Sequence, residues 1–148
     1  MKPQDVISDE YRELNHQLHE KQRFGGSGGK WADAMVGLVM LANSRHFVDK
    51  FKISSILDYG SGRGVLAKYM EKRFAQLNLE VSMEDYEPAI PEKAKMPHPV
   101  DFVICTDVME HVEPELVYNV LNHIDELAKK AAFFLISLQE SRDILPDG

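Results

Sequence analysis

Cysteine is nearly absent from this chain, and long apolar runs and an excess of basic residues are absent altogether. One cysteine, Cys105, occurs in 148 residues, so no disulfide can form within the chain, and we expect a reducing, cytoplasmic location. Because Cys105 lies in an apolar segment, we expect it to be a buried structural thiol. No apolar run approaches the roughly 20 residues that a membrane helix needs, and the polar N-terminus predicts no signal peptide.

The charge and the length narrow the class of protein further. The net charge of −7, from 17 basic and 24 acidic residues, argues against a broad nucleic-acid surface, which needs clustered Lys and Arg. We expect one domain over residues 1–148. It divides into a helical cap (1–50), an α/β core (51–138) and a polar tail (139–148).

Strand-like and helix-like segments alternate through the core. Apolar spacing and turn residues predict helices at 8–22, 30–48, 64–76 and 114–130, and strands at 53–58, 79–86, 101–106 and 132–137. Four prolines between 88 and 99 argue against either element there. Alternation of this kind predicts a parallel sheet with helices on both faces.

The most informative run is Ile56–Gly64, Ile-Leu-Asp-Tyr-Gly-Ser-Gly-Arg-Gly. An apolar strand reaches an acid, Asp58, and glycines follow at alternate positions before a helix begins. Glycine allows positive φ and close approach of a ligand to the main chain, and a helix start offers unpaired N–H groups. The run therefore predicts a nucleotide-like crevice at the end of the first strand, although a glycine turn without a ligand remains an alternative.

The dinucleotide fingerprint fits this run poorly. That fingerprint is G-x-G-x-x-G, whereas position 65 is Val and the third glycine stands at 64. A nicotinamide dehydrogenase is therefore a distant alternative.

Two later segments add to the pattern. The second strand ends in Glu84-Asp-Tyr-Glu-Pro-Ala89, where an acid can accept hydrogen bonds from both ribose hydroxyls; a solvated acidic turn is the alternative. The third strand runs into Asp101-Phe-Val-Ile-Cys-Thr-Asp-Val-Met-Glu-His-Val112. With the glycine run, these segments resemble the class I S-adenosylmethionine-dependent methyltransferases over residues 53–138.

The resemblance implies a reduced Rossmann-like, doubly wound sheet, S-adenosylmethionine as cofactor, and a set of site residues. Glu87 is preferred as the ribose acid because it directly precedes a proline, with Asp85 second. The implied cofactor residues are Asp58, Tyr59, Gly60, Ser61, Gly62, Gly64, Glu87 and Asp107. His111 is the candidate base, since its ordinary pKa lies near neutrality, and Glu110 is a second catalytic candidate that orients it or acts itself.

Asp107, Glu110 and His111 also resemble a divalent-metal variant of this block. A fourth ligand is not evident in the sequence, so we predict no metal, and a polar turn is the preferred interpretation. The pattern indicates surface or loop positions for four further histidines, His16, His46, His98 and His123.

The chain departs from the family in two places. Between the second and third strands of this chain only about a dozen residues remain, so the family's third strand is expected to be vestigial, with Ile90 or residues near Met96 at the adenine. The family's C-terminal strands are missing, so 133–136 should form an exposed apolar edge. We expect either a homodimer through that edge or a longer natural protein.

In the cap, the glycine loop at 24–29 is a candidate hinge. His19 or Trp31 is a candidate contact to cofactor or substrate, although core packing is the preferred interpretation of Trp31. Methyl transfer to an unidentified, small-molecule acceptor is the leading functional hypothesis. A cofactor-binding protein without turnover is the alternative.

Overall fold

The computed structural model describes residues 5–21, 27–44 and 51–138. Its main elements are α1 (Asp9–Glu20), α2 (Ala32–Ala42), β1 (Ser55–Tyr59), α3 (Val65–Gln76), β2 (Ser82–Tyr86), β3 (Val100–Thr106), α4 (Val117–Leu127) and β4 (Ala128–Leu135). The first half of the candidate hinge (24–26), the predicted end of the second helix, His46 and the tail after residue 138 lie outside the described residues.

The four strands form one parallel sheet in the order β2-β1-β3-β4. Tyr59 of β1 pairs with Tyr86 of β2, and Asp58 pairs with Ile104 of β3. This register brings the carboxyl ends of β1, β2 and β3 to one edge of the sheet. The α/β prediction is therefore confirmed. The strand order reverses between β1 and β3, and a crevice is expected beyond the carboxyl ends of these two strands.

Two apolar clusters hold helices on the two faces of the sheet. On one face, Ile56 and Ile104 pack with Met70 of α3 and with α2. On the other face, Leu57 and Val103 pack with Ile124 and the rest of the buried side of α4. All seven residues of β3 are buried, as its near-continuous apolar sequence predicts for a central parallel strand. Cys105 is among them, and burial raises the pKa of its thiol.

The segment between β2 and β3 contains no further strand among the described residues. Its regular part is a single 3₁₀ turn, Pro91–Lys93. The prediction of a vestigial third strand is confirmed, and the short turn leaves this segment folded back against the end of β2.

The predicted bounds of the last helix and strand are wrong. The helix was expected to continue to Lys130 and the strand to begin at Ala132, whereas α4 ends at Leu127 and β4 begins at Ala128. Alanine and lysine favour a helix on propensity, but pairing of Ala128 with Val100 and an ion pair from Lys130 Nζ to Asp101 Oδ1 at 3.2 Å hold the segment extended.

Among the described strands, β4 pairs only with β3 and forms one edge of the sheet. Its apolar residues Phe133 and Phe134 are half-buried against the two clusters, so the exposed apolar surface is smaller than expected and centres on Ile136 and Leu138. Dimerisation through this edge stays a prediction. No helix in the described ranges has the length and apolar character needed to cross a membrane.

Candidate functional site

The loop after β1 needs glycine for its shape. Gly60, Gly62 and Gly64 all have positive φ, at 71°, 49° and 71°, which disfavours residues with a Cβ. A Cβ on Gly60 would lie 2.4 Å from Val108 Cγ2 in the loop after β3. The first glycine therefore permits both the turn and the contact between the two loops.

Four N–H groups of this loop donate to acceptors within the protein. The amides of Gly60 and Ser61 both donate to Tyr86 O, at 2.8 and 3.0 Å, and the amide of Gly64 donates to Ser61 O at 2.8 Å. The amide of Gly62 donates to Glu87 Oε2 at 3.1 Å. With these four donors occupied, the loop is a poor cradle for a pyrophosphate, which binds through free N–H groups.

Asp58, at the end of β1, is a buried carboxyl that faces the crevice. Its pKa is raised to about 7: burial is the largest cause and the carboxylate of Asp85 adds to it, whereas Lys93 and the amide of Ala67, which donates to the carboxyl group, lower the pKa. Its Oδ2 has no hydrogen-bond partner among the residues that the structure describes. A buried oxygen in this state is suited to a cationic N–H donor from a ligand.

Glu87 is fixed at the end of β2 by backbone donors. Its Oε2 accepts from Gly62 N, and its Oε1 accepts from Ala89 N at 3.1 Å. Each carboxylate oxygen has a second lone pair, so the anchored group can still accept from a ligand. His19 of α1 lies opposite, with Nε2 3.8 Å from Glu87 Oε2, and both side chains are about nine-tenths buried.

The loop after β3 presents side chains. Asp107 adopts a left-handed φ of 54°, and its amide donates to Leu135 O of β4 at 2.9 Å. Its Oδ2 lies 3.7 Å from Lys30 Nζ. His111 ends a 3₁₀ turn, Met109–His111, and lines the crevice together with Asp107.

Glu110 lies away from the crevice, although it is adjacent to His111 in sequence. Its Oε1 accepts a hydrogen bond from Ser137 N at 2.9 Å, and the residue is not part of the cavity wall. Its observed contact is therefore with the segment that follows β4. No group of three His, Cys, Asp or Glu side chains in the described ranges is placed to hold a metal ion.

Helix α1 covers the crevice. Ser8 caps its start by accepting from Tyr11 N at 3.1 Å, and the amide of Ser8 donates to Glu113 Oε2 at 3.0 Å. Asn119 Nδ2 also donates to Asp5 O at 2.9 Å. These contacts tie the cap to the start of α4, across the mouth of the crevice.

The cavity has a volume of about 400 Å³, within the range of small-molecule sites. Its wall combines the cap, the glycine loop, the end of β2 and the loop after β3. The cap contributes Val6, Ile7, Tyr11, Asn15 and His19. Of these residues, the sequence indicated only His19. Trp31, the other candidate contact, is not among the described residues of the wall. The ammonium of Lys30 lies 5.4 Å from the ring centroid of Trp31.

Tyr59 is in the cavity wall, but its hydroxyl is directed into the core. It shares a 2.9 Å hydrogen bond with His123 Nδ1, and the rings of Tyr59 and Tyr86 pack against that imidazole. His123 is 3% exposed, so its assignment to the surface was wrong. Burial lowers its pKa. The helical spacing of His123 with Val120, Ile124 and Leu127 on the buried face of α4 was the signal that could have found it.

Of the predicted cofactor residues, Asp58, Tyr59, Gly60, Ser61, Gly62, Glu87 and Asp107 meet at this cavity. Gly64 stands behind it, at the start of α3, where a Cβ would lie 2.7 Å from Asp85 Oδ2. A comparison with protein families matches residues 24–147 to a methyltransferase domain. No curated protein matches the chain.

Proposed function

Since the chain belongs to the class I S-adenosylmethionine-dependent methyltransferases, we propose that it transfers the methyl group of S-adenosylmethionine to a small acceptor bound in the cavity under α1. The observation that carries this proposal is the buried oxygen of Asp58, which has no partner among the described residues and lies beside a glycine loop with occupied N–H groups. Such a site suits a cationic ligand and disfavours an anionic one.

The residues present fit this cofactor. Asp58 would accept from its amino group, and Glu87 would accept from its ribose hydroxyls, because Gly62 and Ala89 already fix the carboxylate. The bound cofactor would supply a methyl group on a positively charged sulfur, which makes that methyl group electrophilic. The protein's part is to position the two reactants and exclude water.

His111 is the candidate base for the acceptor. It is the residue of the predicted catalytic pair that lines the cavity, and an imidazole is the side chain that most often serves as a general base. The apolar cap residues Val6 and Ile7, both buried, would keep water from the acceptor. The modest cavity volume supports a small molecule, or a single protruding group, as the acceptor.

The direct test is isothermal titration of the purified chain with S-adenosylhomocysteine. We expect micromolar binding, loss of that binding in Gly62→Val, and no binding of NADH. Binding of NADH in place of S-adenosylhomocysteine would contradict the proposal.

Turnover needs a separate experiment, because cofactor binding alone fits a protein without methyl transfer. The chain would be incubated with S-adenosylmethionine carrying a deuterated methyl group and with panels of small acceptors, and products would be identified by mass spectrometry. A mass gain in an acceptor that depends on His111 supports the enzyme. Tight binding with no product in any panel would favour the non-catalytic alternative.

A further inference from the structure

The short segment after β2 forms a closed turn that returns to the glycine loop. Ile90 N donates to Glu87 O at 3.2 Å, Lys93 N donates to Ile90 O at 2.9 Å, and Glu87 N donates to Lys93 O at 3.3 Å. This turn replaces the helix and strand that the family resemblance leads one to expect here. It places the side chain of Lys93 behind the cavity.

The Lys93 ammonium has three acceptors. Its Nζ lies 2.6 Å from Asp85 Oδ2, 2.9 Å from Gly62 O and 3.4 Å from Ser61 Oγ. An ammonium has three N–H donors, and this arrangement engages all of them. The Lys93 side chain is 19% exposed and that of Asp85 is 33% exposed, so the pair is partly shielded from water.

Gly62 is consequently held on both sides. Its N–H donates to Glu87 Oε2, and its carbonyl accepts from Lys93. Both contacts come from the segment between β2 and β3. The shape of the cofactor loop therefore depends on one of the two segments in which this chain departs from the family resemblance.

The third glycine makes room for the same ion pair. A Cβ on Gly64 would lie 2.6 Å from Lys93 Nζ and 2.7 Å from Asp85 Oδ2. Positive φ alone would favour glycine here, but the close approach of the pair is an independent reason. Gly64, Asp85 and Lys93 thus form one packed unit behind the loop.

Lys93 also offsets the negative charge of three neighbouring carboxyl groups, those of Asp58, Asp85 and Glu87. Asp85 and Glu87 raise the pKa of Asp58, and Lys93 lowers it. Asp58 in turn raises the pKa of the Cys105 thiol on β3. Without Lys93, three carboxyl groups would face one another with less compensating charge.

We propose that Lys93 is a positioning residue for the cofactor site, whose ammonium holds the Gly62 peptide and the Asp85 carboxylate so that Asp58 is presented to the cavity. The proposal rests on the proposed function for its consequence in binding, but its structural part is independent of any ligand. It assigns a role in the cofactor site to a residue that does not line the cavity.

The ligand-free test is nuclear magnetic resonance of Lys93→Met, with Lys95→Met as the matched control, since Lys95 is the same residue type two positions on and is exposed. We expect Lys93→Met to move the titration midpoint of the Asp58 carboxyl carbon upward. We also expect it to shift the amide of Arg63, whose nitrogen belongs to the same peptide as Gly62 O. Lys95→Met should leave both signals unchanged.

The ligand-bound test is titration with S-adenosylhomocysteine between pH 6 and 8.5. Loss of a charged hydrogen bond predicts affinity lower by about tenfold to a hundredfold at pH 7 in Lys93→Met, with partial recovery at higher pH. Lys93→Arg should restore part of the affinity because it keeps the charge. If Lys93→Met fails to fold, Asp85→Asn/Lys93→Met removes both charges and should fold with a shifted Arg63 amide.

The outcomes separate the two proposals. If the wild-type chain does not bind S-adenosylhomocysteine, the proposed function fails, and the Asp58 and Arg63 signals still decide the role of Lys93. If Lys93→Met binds within twofold of wild type, with the same pH profile and the same Asp58 midpoint, the role of Lys93 is overturned.

Discussion

The loops after β1 and β3 begin with the same backbone conformation but are held by different contacts. Each starts with a left-handed residue, Gly60 at φ 71° and Asp107 at φ 54°, at the carboxyl end of a central strand. The first loop, 60–64, is held by backbone hydrogen bonds to Tyr86 O and to Glu87. The second, 107–113, is held by contacts to the end of β4 and presents side chains.

The difference decides what a sequence can reveal about each loop. A backbone-held loop requires glycine at fixed places, so its function is visible in the residue pattern. In a 3₁₀ turn successive side chains point about 120° apart, so neighbours such as Glu110 and His111 face different surroundings. Their sequence positions alone do not tell which of them faces the ligand.

The largest loss of stability and binding is expected from a substitution that makes the loop after β1 clash with the loop after β3. Gly60→Ala places a methyl group 2.4 Å from Val108 Cγ2 at a φ of +71°, and the left-handed conformation alone costs about 1–2 kcal/mol. We expect a clear loss of stability in urea unfolding and no measurable binding of S-adenosylhomocysteine.

The matched control is Gly37→Ala in α2, where a Cβ would meet nothing within 4 Å. In a helix this change should stabilise the chain by about 0.5–1 kcal/mol. Equal effects of the two substitutions would contradict the role given to the contact between the loops.

The second loop is tested by its two neighbouring residues. His111→Gln removes the candidate base, and we expect methyl transfer to fall by about 10²–10⁴-fold with binding of S-adenosylhomocysteine within about threefold. Glu110→Gln should weaken only the hydrogen bond to Ser137 N and cost about 1 kcal/mol of stability. Single-turnover kinetics would measure the rates of both variants, and urea unfolding the stability of Glu110→Gln. A larger rate loss in Glu110→Gln than in His111→Gln would reverse the assignment.

The first loop is tested by the charge at its base. Ionised Asp58 attracts the ammonium group of the ligand, so the affinity for S-adenosylhomocysteine should rise by about tenfold as the pH increases from 6 to 8. In Asp58→Asn the affinity should be lower and nearly independent of pH, whereas the exposed Asp125→Asn should behave as wild type. Isothermal titration at several pH values gives the measurement.

The raised pKa of Asp58 also predicts that the free energy of unfolding depends on pH. Its pKa is about 7 in the folded chain against 3.8 for the ordinary side chain, so between these values the folded chain binds more protons than the unfolded chain. The free energy of unfolding should therefore fall as the pH rises from about 4 to about 7, and this contribution should disappear in Asp58→Asn. An identical pH dependence in both proteins would count against the buried carboxyl.

The smallest change in affinity is expected at Tyr59, which precedes the first loop and has its hydroxyl group in the core. Tyr59→Phe removes the hydrogen bond to His123 Nδ1, so we expect a loss of about 1 kcal/mol in the free energy of unfolding. The affinity for S-adenosylhomocysteine should stay within about twofold. Tyr118→Phe, at a position 78% exposed, is the control; a large loss of affinity in Tyr59→Phe alone would show that the hydroxyl contacts the ligand.

Much of the fold was predictable because it depends on strongly patterned segments. The apolar run at 101–106 predicted a central strand, and the glycines from Gly60 to Gly64 predicted the turn at its neighbour. The boundary between α4 and β4 was not predictable, since Ala128 to Lys130 favour a helix locally and are extended through pairing with β3. Burial of His123 depends in the same way on a partner, Tyr59, that is distant in sequence.

The site was predictable where it depends on strand ends and not where it depends on the cap. Asp58 and Glu87 follow from the position of acids at the ends of two strands. The cap residues Val6 and Ile7 carry no local signal, because contacts with residues distant in sequence, such as those of Ser8 and Asn119, bring that segment over the crevice. The inward direction of the loop amides likewise depends on Tyr86 O, an acceptor on another strand.

The most direct test of the account is a crystal structure of the chain with S-adenosylhomocysteine. We expect the amino group of the ligand within hydrogen-bond distance of Asp58 Oδ2, its ribose hydroxyls on Glu87, and its sulfur on the side of the cavity that His111 lines. A ligand bound elsewhere, or bound in the cavity with Asp58 Oδ2 still without a partner, would contradict the proposal that the buried carboxyl behind the glycine loop binds the ammonium group of the cofactor.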